Sequence, residues 1–364
     1  MTRRTLVSPA IEVSSLAEAI ELYFERGWTD GLPVVPPEEE RVLEFLQAGG
    51  REPDEILGVL PARRRVLTAE KVAINAVMAG CLPEYMPVVN AAVEAMTDPS
   101  YNLHGCTAST AGAANLIIVH GPISRRLGVN HRQSILGSVG FRSNATIGRA
   151  ITLILRNVCG TIPGVIDMAT FGHPGKFTYC IAEDEQVEGW TPLHVERGFR
   201  VQESAVTVYS GEAPHYIENE EAREPEGILK TIARGMADPA NQWPGGFLGA
   251  DQGAERPRNA YNWCVVISPQ HRSYLLAAGW SKGQMREFLW EHARFTRQEL
   301  WRIGRSEKPR DEVEANETFV AAQSPDDILL LTGGGDAGGF SVVVPPWAAQ
   351  VQVAVTRRVR TKGE

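Results

Sequence analysis

With 364 residues, 43% hydrophobic and 22% charged side chains, the chain has an ordinary globular composition and is long enough for two domains, each with its own core. A formal net charge of −8 argues against a nucleic-acid binder, which needs lysine and arginine to displace counterions from phosphates. No apolar run reaches the ~20 residues of a membrane helix, so the composition excludes a membrane-embedded chain. The first fifteen residues hold no apolar core of signal-peptide length. The five cysteines (81, 106, 159, 180 and 264) are far apart and form no C-x-x-C. A cytoplasmic protein with reduced thiols and no structural metal is expected. The short basic clusters Arg63–Arg65 and Arg125–Arg126 read as solvated faces.

In chain order, "SSLAEAIELYFER" (14–26) predicts an amphipathic helix capped by serine. "GWTDGLPVVPP" (27–37) then breaks it: Gly27 ends the helix, Asp30-Gly31 turns the chain, and three prolines force an extended strap. Further helices are predicted at 38–49, 69–80, 84–97, 145–157, 226–237, 271–278 and 282–303. Strands are predicted at 115–119, 177–182, 205–209, 263–267, 328–332 and 340–344. This alternation of helix and strand is the signature of an α/β layered fold.

"EAMTDPSYN" (94–102) and "RGMADPANQ" (234–242) each end a helix on M-x-D-P, and each is followed by a strand, a proline turn, a long helix and another strand. The match predicts an internal duplication, with 1–60 forming the N-terminal helices and strap, 61–210 a first α/β lobe and 211–364 a second. A ligand site in the cleft between the lobes is then expected.

Four stretches carry candidate chemistry. "LLLTGGGDAGGFSVVVPPW" (329–347) lacks both the helix that must follow a dinucleotide-binding glycine loop and the G-K-[ST] of a phosphate loop, so no nucleotide cofactor is expected. "TFGHPGKFTYC" (170–180) sets His173 and Lys176 in a stiff turn, able to transfer a proton and bind an anion. "SNATIGRAITLILRN" (143–157) offers a helix N-terminus with Asn144 nearby, and Arg149 there needs an acid or an anionic ligand beside it. "WTPLHVERGF" (190–199) adds His194 and Arg197, the latter suited to a carboxylate but equally to a surface ion pair with Glu196.

"NLHGCTAST" (102–110) poses a separate question. Read as extended chain, His104 and Cys106 fall on one side, and a Cys–His pair is the usual route to a reactive thiolate. No signature of a cysteine hydrolase surrounds them. The alternative is a loop near the site, lined by Thr107 and its hydroxyl neighbours.

Five stretches taken together, "RGWTDGLPVVPP", "KVAINAVMAGCLPEYMPVV", "NATIGRAITLILRN", "GHPGKFTYCIAE" and "PLHVERGF", resemble bacterial proteins associated with the UGSC family of (seleno)proteins. The resemblance covers about residues 20–210. It implies a distant link to glycine-reductase-like systems, in which a Sec/Cys-Gly-Ser-Cys motif is the reactive element. This chain has no such motif, so the resemblance implies a companion module that holds substrate while a UGSC-type redox partner carries the thiol or selenol. The expected function is an enzyme or enzyme subunit, of oxidoreductase or lyase type, acting on a small organic anion. Asn144, Arg149, Lys176 and Arg197 would bind the anion, His173 and His194 would move protons, and Asp30 would orient one histidine. No cofactor, nucleic acid or membrane partner is expected, and an oligomer is. Two alternatives stay open: a self-sufficient hydrolase or lyase using His104 and Cys106, and a non-catalytic binding protein.

Overall fold

The computed structural model describes residues 5–240, 260–347 and 351–361. The chain divides into two compact units. The first comprises residues up to Glu183, His194–Ser210 and the chain from Ala354; the second comprises Asp184–Leu193 and Gly211–Val353. Residues 5–60 fall within the first unit.

The first unit opens with α1 (Leu16–Glu25), whose N-cap Ser15 accepts from the Glu18 N–H. After the turns and bends of 27–32 come α2 (Glu39–Gly49), a hairpin of β1 (Ile56–Leu60) and β2 (Arg65–Thr68), α3 (Ala69–Ala79) and α4 (Met86–Met96). The short helix α5 (Leu103–Ala108) precedes β3 (Ala114–His120). Then follow α6 (Pro122–Arg126), α7 (Arg142–Asn157), β4 (Cys180–Ala182), the four-residue α8 (Leu193–Glu196) and β5 (Ala205–Gly211). Leu116–Val119 of β3 are completely buried, as a continuous apolar run in a parallel sheet should be. β3 pairs in parallel with β4, Val119 opposite Ala182. Helices α3 and α7 pack on each other. Gly148 lets α7 lie directly on the approach to β4, because a Cβ there would stand 2.6 Å from the Tyr179 nitrogen and strike the Thr178 hydroxyl.

The second unit contains β6 (His215–Glu218), α9 (Pro225–Met236), β7 (Ala260–Tyr261), β8 (Trp263–Ile267), α10 (Pro269–Ala277) and α11 (Lys282–His292). It continues through β9 (Arg294–Thr296), α12 (Arg297–Arg302), α13 (Glu312–Ala315) and β10 (Thr318–Val320) to β11 (Ile328–Thr332), β12 (Phe340–Val344) and β13 (Val351–Gln352). β8 runs parallel to β11 and antiparallel to β12, around a core built on Trp263, Ile232, Leu289 and Leu330. The last strand of the chain, β14 (Val355–Arg358), pairs antiparallel with β5 and so belongs to the first unit.

In the first unit the strand order is β14-β5-β3-β4; in the second it is β11-β8-β12-β6. The fold is α/β. Among the described residues, no helix is long and apolar enough to cross a membrane.

Three expectations are corrected. The single helix predicted at 282–303 is broken: α11 stops at His292, β9 pairs with β10, and Thr296 restarts a helix in a reciprocal cap with Glu299. Residues 103–108 are helical, so His104 and Cys106 do not share a side. Arg149 does not sit at a helix N-terminus, because α7 begins at Arg142. The stretch after the second M-x-D-P, residues 241–259, lies outside the described residues.

Candidate functional site

One face of α7 carries Gly148, Ile151, Thr152 and Leu155 at helical spacing, and it walls a cavity of about 580 Å3 inside the first unit. The turn His173–Phe177, to whose Lys176 carbonyl Thr152 donates, lines it as well. The amino end of β3 (Ala114, Asn115), Thr107 of α5 and the loop residues Thr161, Pro163 and Asp167 complete it. Phe171, 98% exposed, stands at the rim.

The segment 27–33 is fastened to α7 by side chains two turns apart. Arg149 grips Asp30 with both arms, Nε to Oδ2 at 2.7 Å and Nη2 to Oδ1 at 2.9 Å, and Nη2 also donates to the Pro33 carbonyl. Arg156 donates from Nε to the Gly27 carbonyl and Asn157 from Nδ2 to that of Trp28. Asp30 thus orients an arginine rather than a histidine, and it is the acid that Arg149 requires.

On the turn, the Gly175 N–H donates to His173 Nδ1 at 3.1 Å. A backbone N–H can only donate, so Nδ1 is the acceptor in this contact. That leaves Nε2 as the ring nitrogen able to donate a hydrogen bond. Lys176 ends the turn rather than starting a strand, and its Nζ pairs with Asp167 Oδ2 at 2.7 Å.

At the third side, Arg63 makes a fan of bonds: to Thr107 Oγ1 at 2.5 Å, to Thr161 Oγ1 at 2.8 Å and to His104 Nδ1 at 3.1 Å. Burial pulls its pKa below the usual arginine value, yet a guanidinium stays charged at neutral pH. Arg63 is thus part of the site and not the solvated face its sequence context suggests.

The structure brings Asp30, Thr107, His173 and Lys176 together on the cavity wall, with Arg149 one hydrogen bond behind and His104 two, through Arg63. Asn144 lies elsewhere. It is fully buried, accepting from the Asn130 N–H and donating to the Cys180 carbonyl, and so serves the fold. Arg197 donates to the Ala354 carbonyl. His194 stacks on His120, away from the cavity walls. The Cys106 thiol is buried against the Leu103 carbonyl, and burial pushes its pKa up to about 12, which removes the thiolate the hydrolase reading needs. Sequence reasoning missed Arg156, Thr161 and Asp167. Arg156 could have been found, because it follows Arg149 by seven residues and so returns to the same helical face.

No protein-family model matches the chain, and comparisons with curated proteins and with solved structures find no match.

Proposed function

We propose that the chain is an enzyme or enzyme subunit that binds a small organic anion in the cavity between α7 and the His173–Phe177 turn. The observation that carries this reading is the charge balance. Two carboxylates, Asp30 and Asp167, face four cations, Arg63, Arg149, Arg156 and Lys176, either on the wall or bonded to it. In a partly enclosed site such an excess attracts an anion more strongly than it would in water. Thr107, Thr161 and His173 Nε2 supply hydrogen bonds for orientation, and Ile151, Leu155 and Phe177 supply apolar contact.

The reactive thiol or selenol would come from a separate UGSC-type protein. All five cysteines are buried, and burial raises the thiol pKa to about 12 at Cys81 and Cys106 and about 11 at Cys159. That supports a companion module over a self-sufficient hydrolase built on His104 and Cys106. Duplication belongs to the same proposal. In each sheet an inner strand (β3, β8) lies between its parallel partner (β4, β11) and a third strand (β5, β12), with one more strand outside (β14, β6).

Calorimetric titration with acetate, pyruvate and succinate tests the anion site. Binding that weakens with added salt and with Arg156→Gln is expected. Equal binding of the neutral amides, or no binding of any acid at millimolar concentration, would overturn it.

A further inference from the structure

The four cations around the cavity are not equivalent. Arg63 makes five hydrogen bonds within the protein, one for each N–H it carries: to His104 Nδ1 and carbonyl, to the Cys159 carbonyl, and to the hydroxyls of Thr107 and Thr161. Arg149 closes its Nε–Nη2 side on Asp30. The Lys176 ammonium is paired with Asp167. Arg156 differs from all three. It lines the cavity, its Nε donates to the Gly27 carbonyl at 3.0 Å, and among the described residues neither of its Nη atoms has an acceptor. With Nε held by backbone, the guanidinium is oriented and its Nη pair remains to be used. Two parallel N–H groups match the two oxygens of a carboxylate. One such unengaged fork suits one carboxylate rather than two.

What surrounds the fork is apolar. Thr152 stands one helical turn before Arg156, and its hydroxyl donates to the Lys176 carbonyl at 2.9 Å. The next residue, Phe177, therefore lies along the same stretch of α7, beside Ile151 and Leu155 on the cavity wall. Phe177 is 37% exposed and the ring of Phe171 at the rim almost wholly so. Large apolar side chains left open to water around a cavity are surface that a ligand can cover with a gain in free energy. The volume points the same way. About 580 Å3 falls in the range of roughly 300–1,000 Å3 that encloses drug-sized ligands, and an acid as small as acetate would leave most of it to water.

Given the anion site proposed above, on which this rests, we propose that its ligand is a monocarboxylate with a bulky apolar body, aromatic or branched aliphatic. The Nη pair of Arg156 holds the carboxylate end-on, and Ile151, Leu155 and Phe177 take the body. Arg156 is then the residue that selects the ligand, whereas Arg63, Arg149 and Lys176 act on it through their field.

The test is calorimetric titration of the full-length chain with 3-phenylpropanoate, acetate and 3-phenylpropanamide. The aryl acid should bind about tenfold tighter than acetate or better, because its ring leaves water. Arg156→Lys keeps the charge and loses the fork, so it should weaken the aryl acid about tenfold, as Arg156→Gln does. An Arg156→Lys variant that binds like wild type would overturn the fork and leave an anion site that acts by field alone. Acetate binding as tightly as the aryl acid would overturn the apolar body and leave the anion site standing. Equal binding of the amide, or no binding of either acid at millimolar concentration, would remove the anion site and the aryl ligand together. If neither variant folds, crystals of the wild type with the aryl acid decide. Carboxylate oxygens within about 3 Å of both Arg156 Nη atoms support the fork, and any other seat overturns it.

Discussion

Replacing Lys176 by methionine removes one of the four cations around the cavity and strands its partner. The Lys176–Asp167 pair has side chains 26% and 12% exposed, so its charges are partly, not wholly, screened. A ligand carboxylate about 6 Å from the ammonium, at an effective dielectric constant near 20, interacts by roughly 2.8 kcal/mol. Partial exposure of the lysine reduces this to about 1.4 kcal/mol, a tenfold change in affinity. Lys176→Met should therefore weaken binding of the best carboxylate probe about tenfold in calorimetry at low salt. The double variant Lys176→Met with Asp167→Asn deletes a positive and a negative charge together and restores the original excess of cations. It should recover most of the lost affinity. A single variant that binds like wild type would refute the electrostatic account. So would a double variant no better than the single, which would make the ammonium a direct ligand instead.

Other outcomes follow from groups outside the cavity. In the native protein none of the five thiols should react quickly with a disulfide reagent at pH 8, whereas the unfolded chain should show all five; fast labelling of Cys106 would revive the nucleophile reading. Asn144→Ala should cost about 3 kcal/mol in urea unfolding, because it leaves the Asn130 N–H and the Cys180 carbonyl buried without their partner, and a loss under about 1 kcal/mol would contradict that role. Stability should also depend on pH in two directions. Burial holds His271 below its ordinary 6.5, with Nε2–H on the Asn219 carbonyl and the Ser341 hydroxyl on Nδ1, so its contribution is full above 6.5 and is lost as the pH falls below it. The buried thiols, raised from 9.0, contribute below that value and lose stability above it, so a melting temperature unchanged between pH 7 and pH 5, or between pH 8 and pH 10, would refute the corresponding half.

Three of the four strands of the second sheet are legible residue by residue, β6 being missed: "ILLLT" and "FSVVV" are apolar, β-rich and bounded by turn formers, and β11 and β12 occupy 328–332 and 340–344 as read. Short elements are not. Helix α5 is started by Asn102 in a left-handed conformation, a tertiary choice that composition does not announce, and this reverses the relation of His104 to Cys106. The break after His292 did leave a trace, since Thr296-x-x-Glu299 is a capping box in the middle of an apparent helix. For the cavity, the "GHPGK" turn and Asp30 stand out by residue type, whereas Arg63 and Asp167 are ordinary surface residues until the chain folds them together.

The pairing of β5 with β14 has a bearing on how the protein can be made. Val355–Arg358 leave the ribosome only after the second unit has been made, and until they arrive β5 is an open sheet edge with unpaired backbone groups. The first unit, though nearly all of it is synthesised before the second, completes its sheet only after the second has been made. Cutting the chain at the boundary after Ser210 would yield an incomplete sheet that seeks strands from other molecules. Completion of the first sheet thus waits on synthesis of the second unit, and the two units must be produced as one polypeptide, or coexpressed as fragments that restore β14.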